Sequence, residues 1–190
     1  MKSGNWSVVF VTAFILSGWL CTQQVIAQPE ESASTIGKMI IQTIPEKKYL
    51  SASIDDTNFA RMGEPVVKSL TAMGEAAKEH KTLLHGPVLH YYYGAPHTAP
   101  DKSFKMETGF LFPEREETVG AFKARTLPRF KCASVLYVGP ARQIGDAWQQ
   151  LYRSVRAEGL APTEEERELY LYWEGADSPN NIVQVQVGIK

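Results

Sequence analysis

A carboxylate and two phenols occur at alternate positions near the C-terminal end of the sequence, at Glu168, Tyr170 and Tyr172. If this segment is a strand, the three side chains share one face of it, because strand side chains alternate with a period of two. A carboxylate beside a phenol suits general acid–base chemistry, and a carboxylate among aromatic rings suits the binding of an organic cation. Such a face is too polar for ordinary core and too aromatic for ordinary surface, so we predict the functional site there.

The elements that must position this face are predicted from the flanking sequence. A strand at 129–138 runs into the Gly139-Pro140 step, and a helix follows at 141–157. Gly159 ends the helix, a charged loop comes next, and the strand of the predicted site covers 167–173. The helix carries one apolar side, made of Trp148, Leu151, Tyr152 and Val155. On the strand, Leu169 and Leu171 alternate with the polar residues, and they are predicted to face the helix.

The rest of the chain repeats this arrangement. Strands are predicted at 38–44, 47–54, 87–93, 104–112, 119–127 and 182–189. A helix starts near Gly63-Glu64-Pro65, with Val66, Leu70, Met73 and Ala77 at helical spacing. The order strand, helix, strand, strand therefore occurs at 47–112 and again at 129–189. We predict an α+β fold of two such units related by a pseudo-twofold axis, with antiparallel sheets and two long helices around a central cleft.

The N-terminal residues have the composition of an export signal. Lys2 precedes an apolar run from Trp6 to Leu20, and small or apolar residues lead to Ala27. We predict a signal peptide at 1–27, a flexible tether at 28–37 and one domain at 38–190 whose halves cover 38–113 and 119–190. The protein is then exported, to the periplasm or the medium, and contacts a membrane only through the signal segment if that segment is not cleaved.

Composition narrows the choice of partners. The chain has 20 Lys and Arg against 21 Asp and Glu, a formal net charge of −1, and it lacks a basic block. Nucleic acid is therefore not the expected partner, and no helix-turn-helix is predicted. The four histidines and two cysteines do not show zinc-ligand spacing, and neither a phosphate loop nor a dinucleotide fingerprint is present. We predict no metal and no cofactor, and no oligomeric state is assigned.

These motifs in this order resemble the GyrI-like small-molecule-binding domain, the effector-binding domain attached to AraC-type and MerR-type transcription activators and also found free-standing. The matching residues are Gly139-Pro140, Trp148, Leu151, Gly159-Leu160 and Glu168-Leu169-Tyr170, with Gly86-Pro87 and Tyr91 as their counterpart in the first half. The resemblance implies a duplicated α+β fold whose pocket, between the halves, takes lipophilic compounds that are often cationic or aromatic. An acidic residue in that pocket commonly meets the positive charge of the ligand.

By their position in the matching motif, Glu168 and Tyr170 are the residues expected to contact the ligand in this chain. Tyr172 and Trp148 are expected to line the pocket as well, although one large aromatic on a helix is also typical of core. If Tyr91 aligns with Tyr170 across the sheet, then Tyr91 and Tyr93 join them on the pocket face, whereas a register shifted by one residue turns both away. Glu107 is either a second pocket acid or an exposed strand carboxylate.

Two further functions stay open. Some free-standing relatives hydrolyse reactive electrophiles, which would make Glu168 a general base and a tyrosine such as Tyr170 the acid. The haem-binding SOUL proteins have a similar duplicated architecture. Haem or tetrapyrrole binding by this chain would use His90 or His97 as the iron ligand. Ligand binding outside the cytoplasm remains the first hypothesis.

Overall fold

The structure, a computed structural model, describes residues 34–84, 86–112 and 118–190. The predicted signal peptide at 1–27 and most of the predicted tether lie outside the described residues. The elements are β1 (Thr35–Ile36), β2 (Ile40–Ile44), β3 (Lys47–Thr57), α1 (Gly63–Glu79), β4 (Val88–Tyr93), β5 (Phe104–Phe112), β6 (Thr118–Val119), β7 (Phe122–Leu127), β8 (Phe130–Val138), α2 (Ile144–Ala157), β9 (Pro162–Tyr172) and β10 (Ile182–Ile189). Short 3-10 helices occupy Pro96–Thr98 and, directly before α2, Ala141–Gln143.

The described strands pair antiparallel throughout, and they run in the order β1-β8-β10-β9-β4-β5-β3-β7-β6, with β2 also pairing with β8. At the centre, β4 lies beside β9, with His90 opposite Glu168 and Val88 opposite Tyr170. Residues directly opposite each other in an antiparallel pair project from the same face. The prediction of an α+β fold with antiparallel strands and two helices is confirmed.

Helix α2 covers the face of the sheet from which Glu168 projects. Its buried residues follow the predicted apolar side, namely Ala147, Trp148, Leu151, Tyr152 and Val155. They pack against alternate residues of β8 and β10, including Val135 and Val185. Burial of each large side chain contributes about 1.5–3 kcal/mol, so this contact fixes α2 on the sheet.

The C-terminal end of α2 is a Schellman motif. Gly159 has a φ of 67°, a conformation that glycine adopts without strain. The N–H of Leu160 donates to the carbonyl of Val155, and that of Gly159 to the carbonyl of Arg156, each at 3.0 Å. The helix therefore ends at the glycine, as predicted.

Helix α1 lies on the same face over the other half of the sheet. Val66, Met73 and Ala77 are buried and Leu70 is partly buried, so the predicted stripe at helical spacing is confirmed. The negative charge of Glu64 in the first turn interacts favourably with the positive end of the helix dipole. Both helices thus lie on one face of the sheet, and we call it the helix face.

The predicted helix-side role of Leu169 and Leu171 is wrong. Leu169 packs on the opposite face, in a cluster with Tyr49, Leu89 and Leu127. Leu171 is 50% exposed. The helix instead contacts the polar face of β9, because α2 supplies donor groups that satisfy the carboxylates projecting there.

Two other segments also differ from prediction. The residues predicted as a charged loop after Gly159 belong to β9, which begins at Pro162. Pairing with β4 and β10 satisfies their backbone, and partners on the helix face satisfy Glu166, so a run of glutamates is accommodated in a strand. Thr35 and Ile36, placed in the flexible tether by the sequence, form β1 against β8, as suits two β-branched residues.

In the part of the chain that the structure describes, neither helix has both the length and the apolar character needed to cross a membrane.

Candidate functional site

The carboxylate of Glu168 lies at the centre of the helix face with three hydrogen-bond donors around it. Trp148 of α2 donates its indole N–H to Oε1 at 2.8 Å. The hydroxyls of Tyr92 and Tyr170 both donate to Oε2, each at 2.8 Å. Glu168 is 2% exposed, so the protein itself replaces the water that an ionised carboxylate requires.

Glu168 is held in its ionised form. Burial on its own raises the pKa of this carboxyl group, but the contact with His90, the charges of His97 and His90, and the Trp148 N–H lower the pKa to about 2. The Nδ1 atom of His90 is 3.6 Å from Oε2, and the Nε2 atom of His97 is 3.7 Å from Oε1. A carboxylate with this pKa is a weak proton acceptor at neutral pH and a durable negative charge.

The two phenols are held in their protonated form. Burial first, and then the negative charge of Glu168, raise the pKa of the Tyr92 and Tyr170 hydroxyls well above the usual range. Both tyrosines therefore act as donors to Glu168 at physiological pH. His90 packs beside Tyr170, with ring centroids 4.6 Å apart, and this contact closes the cluster on the α1 side.

A second buried carboxylate, Glu166, lies two residues earlier on the same face of β9. Its side chain has no exposed surface, and one oxygen accepts a short hydrogen bond from Tyr152 of α2. The other oxygen lies 2.5 Å from Nδ1 of His97 and accepts the backbone N–H of the same histidine at 3.3 Å. Through this pair of contacts, Glu166 anchors the loop between β4 and β5 to the sheet.

Above Glu168 the two helices leave an open cleft with two adjoining chambers. The first chamber has a volume of about 470 Å³, with Glu168, Tyr92 and Tyr170 at its base. Its walls are the first turns of α1 and α2 with Trp148, and Phe59 and His97 close its side. This chamber combines aromatic surface with the ionised carboxylate of Glu168, and Arg142 of the turn before α2 also lines it.

The second chamber extends from Tyr170 along α1. Its volume is about 420 Å³, and it is lined mainly by apolar residues, among them Val66, Leu70, Val88 and Trp173. Tyr170, Met62, Gly63 and Ala141 border both chambers. The cleft as a whole therefore has an aromatic, charged end and an apolar end, and Tyr170 stands between them.

Of the residues predicted for the site, Glu168, Tyr170 and Trp148 come together. Trp148 is 2% exposed and belongs to the α2 core as well as to the chamber wall, so both of its predicted roles apply. Tyr172 lies further along β9, is 48% exposed, and donates its hydroxyl to Glu174 at 2.6 Å. Tyr172 does not line either chamber.

Tyr91 and Tyr93 lie on the face opposite to the cleft. The expected alignment of Tyr91 with Tyr170 is wrong, because Val88 pairs with Tyr170 and Tyr91 pairs with Arg167. Their neighbours there form a separate cluster in which Glu107 accepts hydrogen bonds from Tyr93 at 2.7 Å and from Arg125 at 2.9 Å. Glu107 is thus a paired carboxylate of the opposite face and not an acid of the cleft.

The predicted ligand-site residues do not include Tyr92, Phe59 and His97, which line the first chamber, or Glu166, which is buried and contacts His97. His97 is predicted only as an alternative haem ligand, and the expected alignment of Tyr91 with Tyr170 directs the neighbouring Tyr92 to the face away from the pocket. The signal that leads to Glu166 is the spacing of two between Glu166 and Glu168, once β9 is extended toward its start. Phe59 lies in a turn and His97 in a 3-10 helix of three residues, and periodicity provides no signal for either.

No metal site is built from the described residues. Among residues 34–84, 86–112 and 118–190, no group of three or more His, Cys, Asp or Glu side chains is arranged to hold a metal ion. The histidines of the cleft lie beside carboxylates and pack against aromatic rings. His97 lies flat on Trp148, with centroids 3.8 Å apart and an interplanar angle of 14°.

Comparison with known proteins gives the same picture of the fold. The family model of the GyrI-like small molecule binding domain matches residues 41–190. No curated protein sequence matches the chain significantly. Among solved structures, the EcmrR C-terminal domain aligns with a TM-score of 0.63 at 17% identity, covering 80% of this chain and 97% of that chain.

Two further structures are similar. A hydrolase from Listeria innocua aligns with a TM-score of 0.54 at 16% identity, covering 80% of this chain and 92% of that chain. The protein SAV2435, solved bound to tetraphenylphosphonium, aligns with a TM-score of 0.54 at 9% identity, covering 80% and 94%. At these identities the likeness establishes a shared fold.

Proposed function

The chain belongs to the GyrI-like family of small-molecule-binding domains, and from this premise we propose that it holds a small lipophilic ligand, cationic or aromatic, in the two-chambered cleft. The observation that carries the proposal is the buried, ionised Glu168 at the base of an aromatic chamber. A cation placed above it gains Coulomb energy that water screens only weakly in a dry site. The rings of Tyr92, Tyr170 and Trp148 add cation–π attraction of about 0.5–2 kcal/mol each.

The apolar chamber adds a second contribution. A ligand whose charge lies over Glu168 can extend its apolar part past Tyr170 into the chamber along α1. Burial of apolar surface there contributes about 25 cal/mol per Å², which favours ligands with large hydrophobic groups. Tetraphenylphosphonium, the molecule bound to SAV2435, has this character and is a suitable probe.

The proposal is tested with tetraphenylphosphonium and a neutral compound of similar shape, triphenylphosphine oxide, by calorimetry and ligand-induced thermal stabilisation. Glu168→Gln keeps the shape of the side chain and removes its charge. We expect this variant to weaken phosphonium binding about tenfold or more, and to change binding of the neutral compound much less. Glu107→Gln is the matched control, because it removes a paired carboxylate from the opposite face.

Equal affinity of wild type and Glu168→Gln for the phosphonium contradicts the charge-pairing part of the proposal. If neither compound stabilises the protein, the lipophilic-ligand proposal itself is wrong for this class of molecule.

A hydrolase is the alternative function. It draws support from a carboxylate and a phenol in contact at the base of a cavity, and from the Listeria innocua hydrolase that shares the fold. A pKa of about 2 and three bound donors make Glu168 a poor general base, however, so ligand binding remains the preferred function. Mass spectrometry of reactive electrophiles incubated with the protein distinguishes catalytic turnover from stoichiometric binding.

Haem binding has less support. Both ring nitrogens of His97 lie within 3.7 Å of carboxylates, and Nδ1 of His90 faces Tyr92 and Glu168. Ligation of iron by either histidine would break these contacts. A Soret band that appears on titration with haem, and is lost in His97→Ala or His90→Ala, would restore this alternative.

We also infer that the two halves are related by duplication and a pseudo-twofold axis between β4 and β9. In support, the order β3-β5-β4 of one half is repeated as β8-β10-β9 in the other, with a helix after the first strand of each. Gly109 and Gly188 occupy equivalent strands, and an added Cβ would lie 1.9 Å and 2.2 Å from a neighbouring atom. An experimental structure whose halves fail to superpose by a half-turn contradicts this inference.

The location outside the cytoplasm remains a proposal based on the composition of residues 1–27. Cleavage after Ala27 would release a protein that starts at Gln28 in the periplasm or the medium. Cell fractionation followed by intact-mass measurement tests this, and a full-length chain in the cytosol contradicts it. A full-length chain in the membrane fraction indicates an uncleaved anchor.

A further inference from the structure

His97, which lines the first chamber, is positioned between two buried carboxylates, Glu166 and Glu168. Its Nδ1 atom is 2.5 Å from Glu166, and its Nε2 atom is 3.7 Å from Glu168. The ring stacks on Trp148 and contacts Phe59, with centroids 4.5 Å apart, so its orientation is fixed from both sides. The two nitrogens of the imidazole are therefore directed at one carboxylate each.

The two buried carboxylates, Glu166 and Glu168, require a positively charged group nearby. Glu166 and Glu168 project from the same face of β9 at 0% and 2% exposure, and buried carboxylates are costly unless a positive charge lies nearby. Phenols and an indole satisfy their hydrogen bonds but supply no charge. Among the described residues within ion-pair distance of Glu166 or Glu168, only His97 and His90 can carry one.

We propose that protonated His97 is the resident cation beside Glu168, and that it determines ligand specificity by competing with a ligand's positive charge for this carboxylate. This inference rests on the proposed function, the binding of a lipophilic ligand above Glu168. When His97 is protonated, its charge offsets Glu168 and repels an incoming cation. When His97 is neutral, Glu168 is left for the ligand.

The competition makes binding of cations depend on pH in a defined direction. Histidine is the side chain that normally changes charge between about pH 5 and pH 8, so acid favours the resident cation and alkali favours the ligand. The phenols of the cleft stay protonated across this interval, because burial and the charge of Glu168 raise their pKa well above the usual range. The titratable or charged groups that face His97 or the chamber it borders are Glu166, Glu168, His90, Tyr92, Tyr152, Tyr170 and Arg142.

His90 is the other imidazole of this set, and it requires its own control. It lies 3.6 Å from Glu168 on the α1 side, whereas His97 contacts both carboxylates from the α2 side. Among residues 34–84, 86–112 and 118–190, His97 is the one cationic side chain within ion-pair distance of both Glu166 and Glu168, so neutralising it changes the balance of both buried charges. The two histidines are separable by substitution.

The experiment measures the dissociation constants of tetraphenylphosphonium and triphenylphosphine oxide by calorimetry at about pH 5.5 and about pH 8.5. The charge of the phosphonium is permanent, so only the protein titrates. In wild type we expect the phosphonium to bind about tenfold more tightly at the higher pH, and the neutral compound to bind equally at both. In His97→Phe, which keeps a ring against Trp148, the phosphonium should bind tightly at both pH values.

His97→Gln is the second variant, because glutamine can still donate to Glu166 if phenylalanine disturbs the fold. His90→Gln is the control and should retain the pH dependence. The inference is overturned if wild type binds the phosphonium equally at both pH values, or if the dependence persists without His97 and disappears without His90. If neither compound binds at either pH, the proposed function is overturned together with this inference. If the phosphonium binds equally at both pH values, only this inference is overturned.

Discussion

Trp148 of α2 donates its indole N–H to Glu168 of β9 across 2.8 Å, and this hydrogen bond joins the helix to the central strand of the sheet. The same indole packs with Leu151 and Val155 in the core and carries His97 on its face. One side chain therefore contributes to folding and to the wall of the cleft. The charge of Glu168 and the placement of α2 depend on each other.

Trp148→Phe should destabilise the protein by about 2 kcal/mol, because it leaves a buried carboxylate with one donor fewer while keeping an aromatic ring in the core. Trp173→Phe is the control, since Trp173 is 46% exposed and should change stability by less than about 0.5 kcal/mol. Urea denaturation followed by circular dichroism measures both. A Trp148→Phe variant as stable as Trp173→Phe would show that the hydrogen bond contributes nothing.

The depressed pKa of Glu168 predicts how stability depends on acid. Its pKa falls from 4.5 to about 2 on folding, so its contribution is complete above about pH 4.5 and is lost as the pH falls through about 2. We expect wild type to lose stability relative to Glu168→Gln, which cannot titrate, over this interval. The difference in unfolding free energy between the two proteins, measured at several pH values, tests this. A difference that does not change with pH contradicts it.

Most of the fold could be predicted from the sequence, because most of its strands and helices show a clear periodicity of apolar residues. Helix α1 and the strands β5 and β10 begin and end close to the predicted positions. Prediction failed where composition opposed the local structure. Three consecutive glutamates indicated a loop, yet cross-strand partners and the donors around Glu166 hold them in β9.

For the site, the sequence pattern predicted which residues of β9 and α2 come together, but it did not predict which face of β4 lies beside them. Glu168, Tyr170 and Trp148 meet as expected, since alternation in β9 and the apolar side of α2 constrain them. The register between β4 and β9 is set by pairing over the whole sheet, and a shift of one residue exchanges Tyr91 for Tyr92. Local sequence does not contain that information.

The two faces of the sheet lead to a prediction for binding. Tyr170→Leu removes a ring that borders both chambers, and it should weaken tetraphenylphosphonium binding about tenfold through lost cation–π attraction. Tyr93→Leu alters the opposite face, where Tyr93 donates to Glu107, and should leave the affinity within about twofold. Calorimetry on both variants provides the comparison. A larger loss of affinity in Tyr93→Leu would mean that the ligand binds outside the cleft.

Substitution by alanine should change the stability of the protein in opposite directions at two glycines, Gly109 and Gly74. At Gly109, a Cβ would lie 1.9 Å from the carbonyl oxygen of Leu50, so Gly109→Ala must displace the backbone of β3 and should destabilise the protein by several kcal/mol, about 3 or more. Gly74 lies inside α1 with nothing within 4 Å of the added methyl, so Gly74→Ala should stabilise by about 0.5–1 kcal/mol. Thermal and urea denaturation measure both effects. A Gly109→Ala variant as stable as wild type contradicts this close approach of β3 and β5.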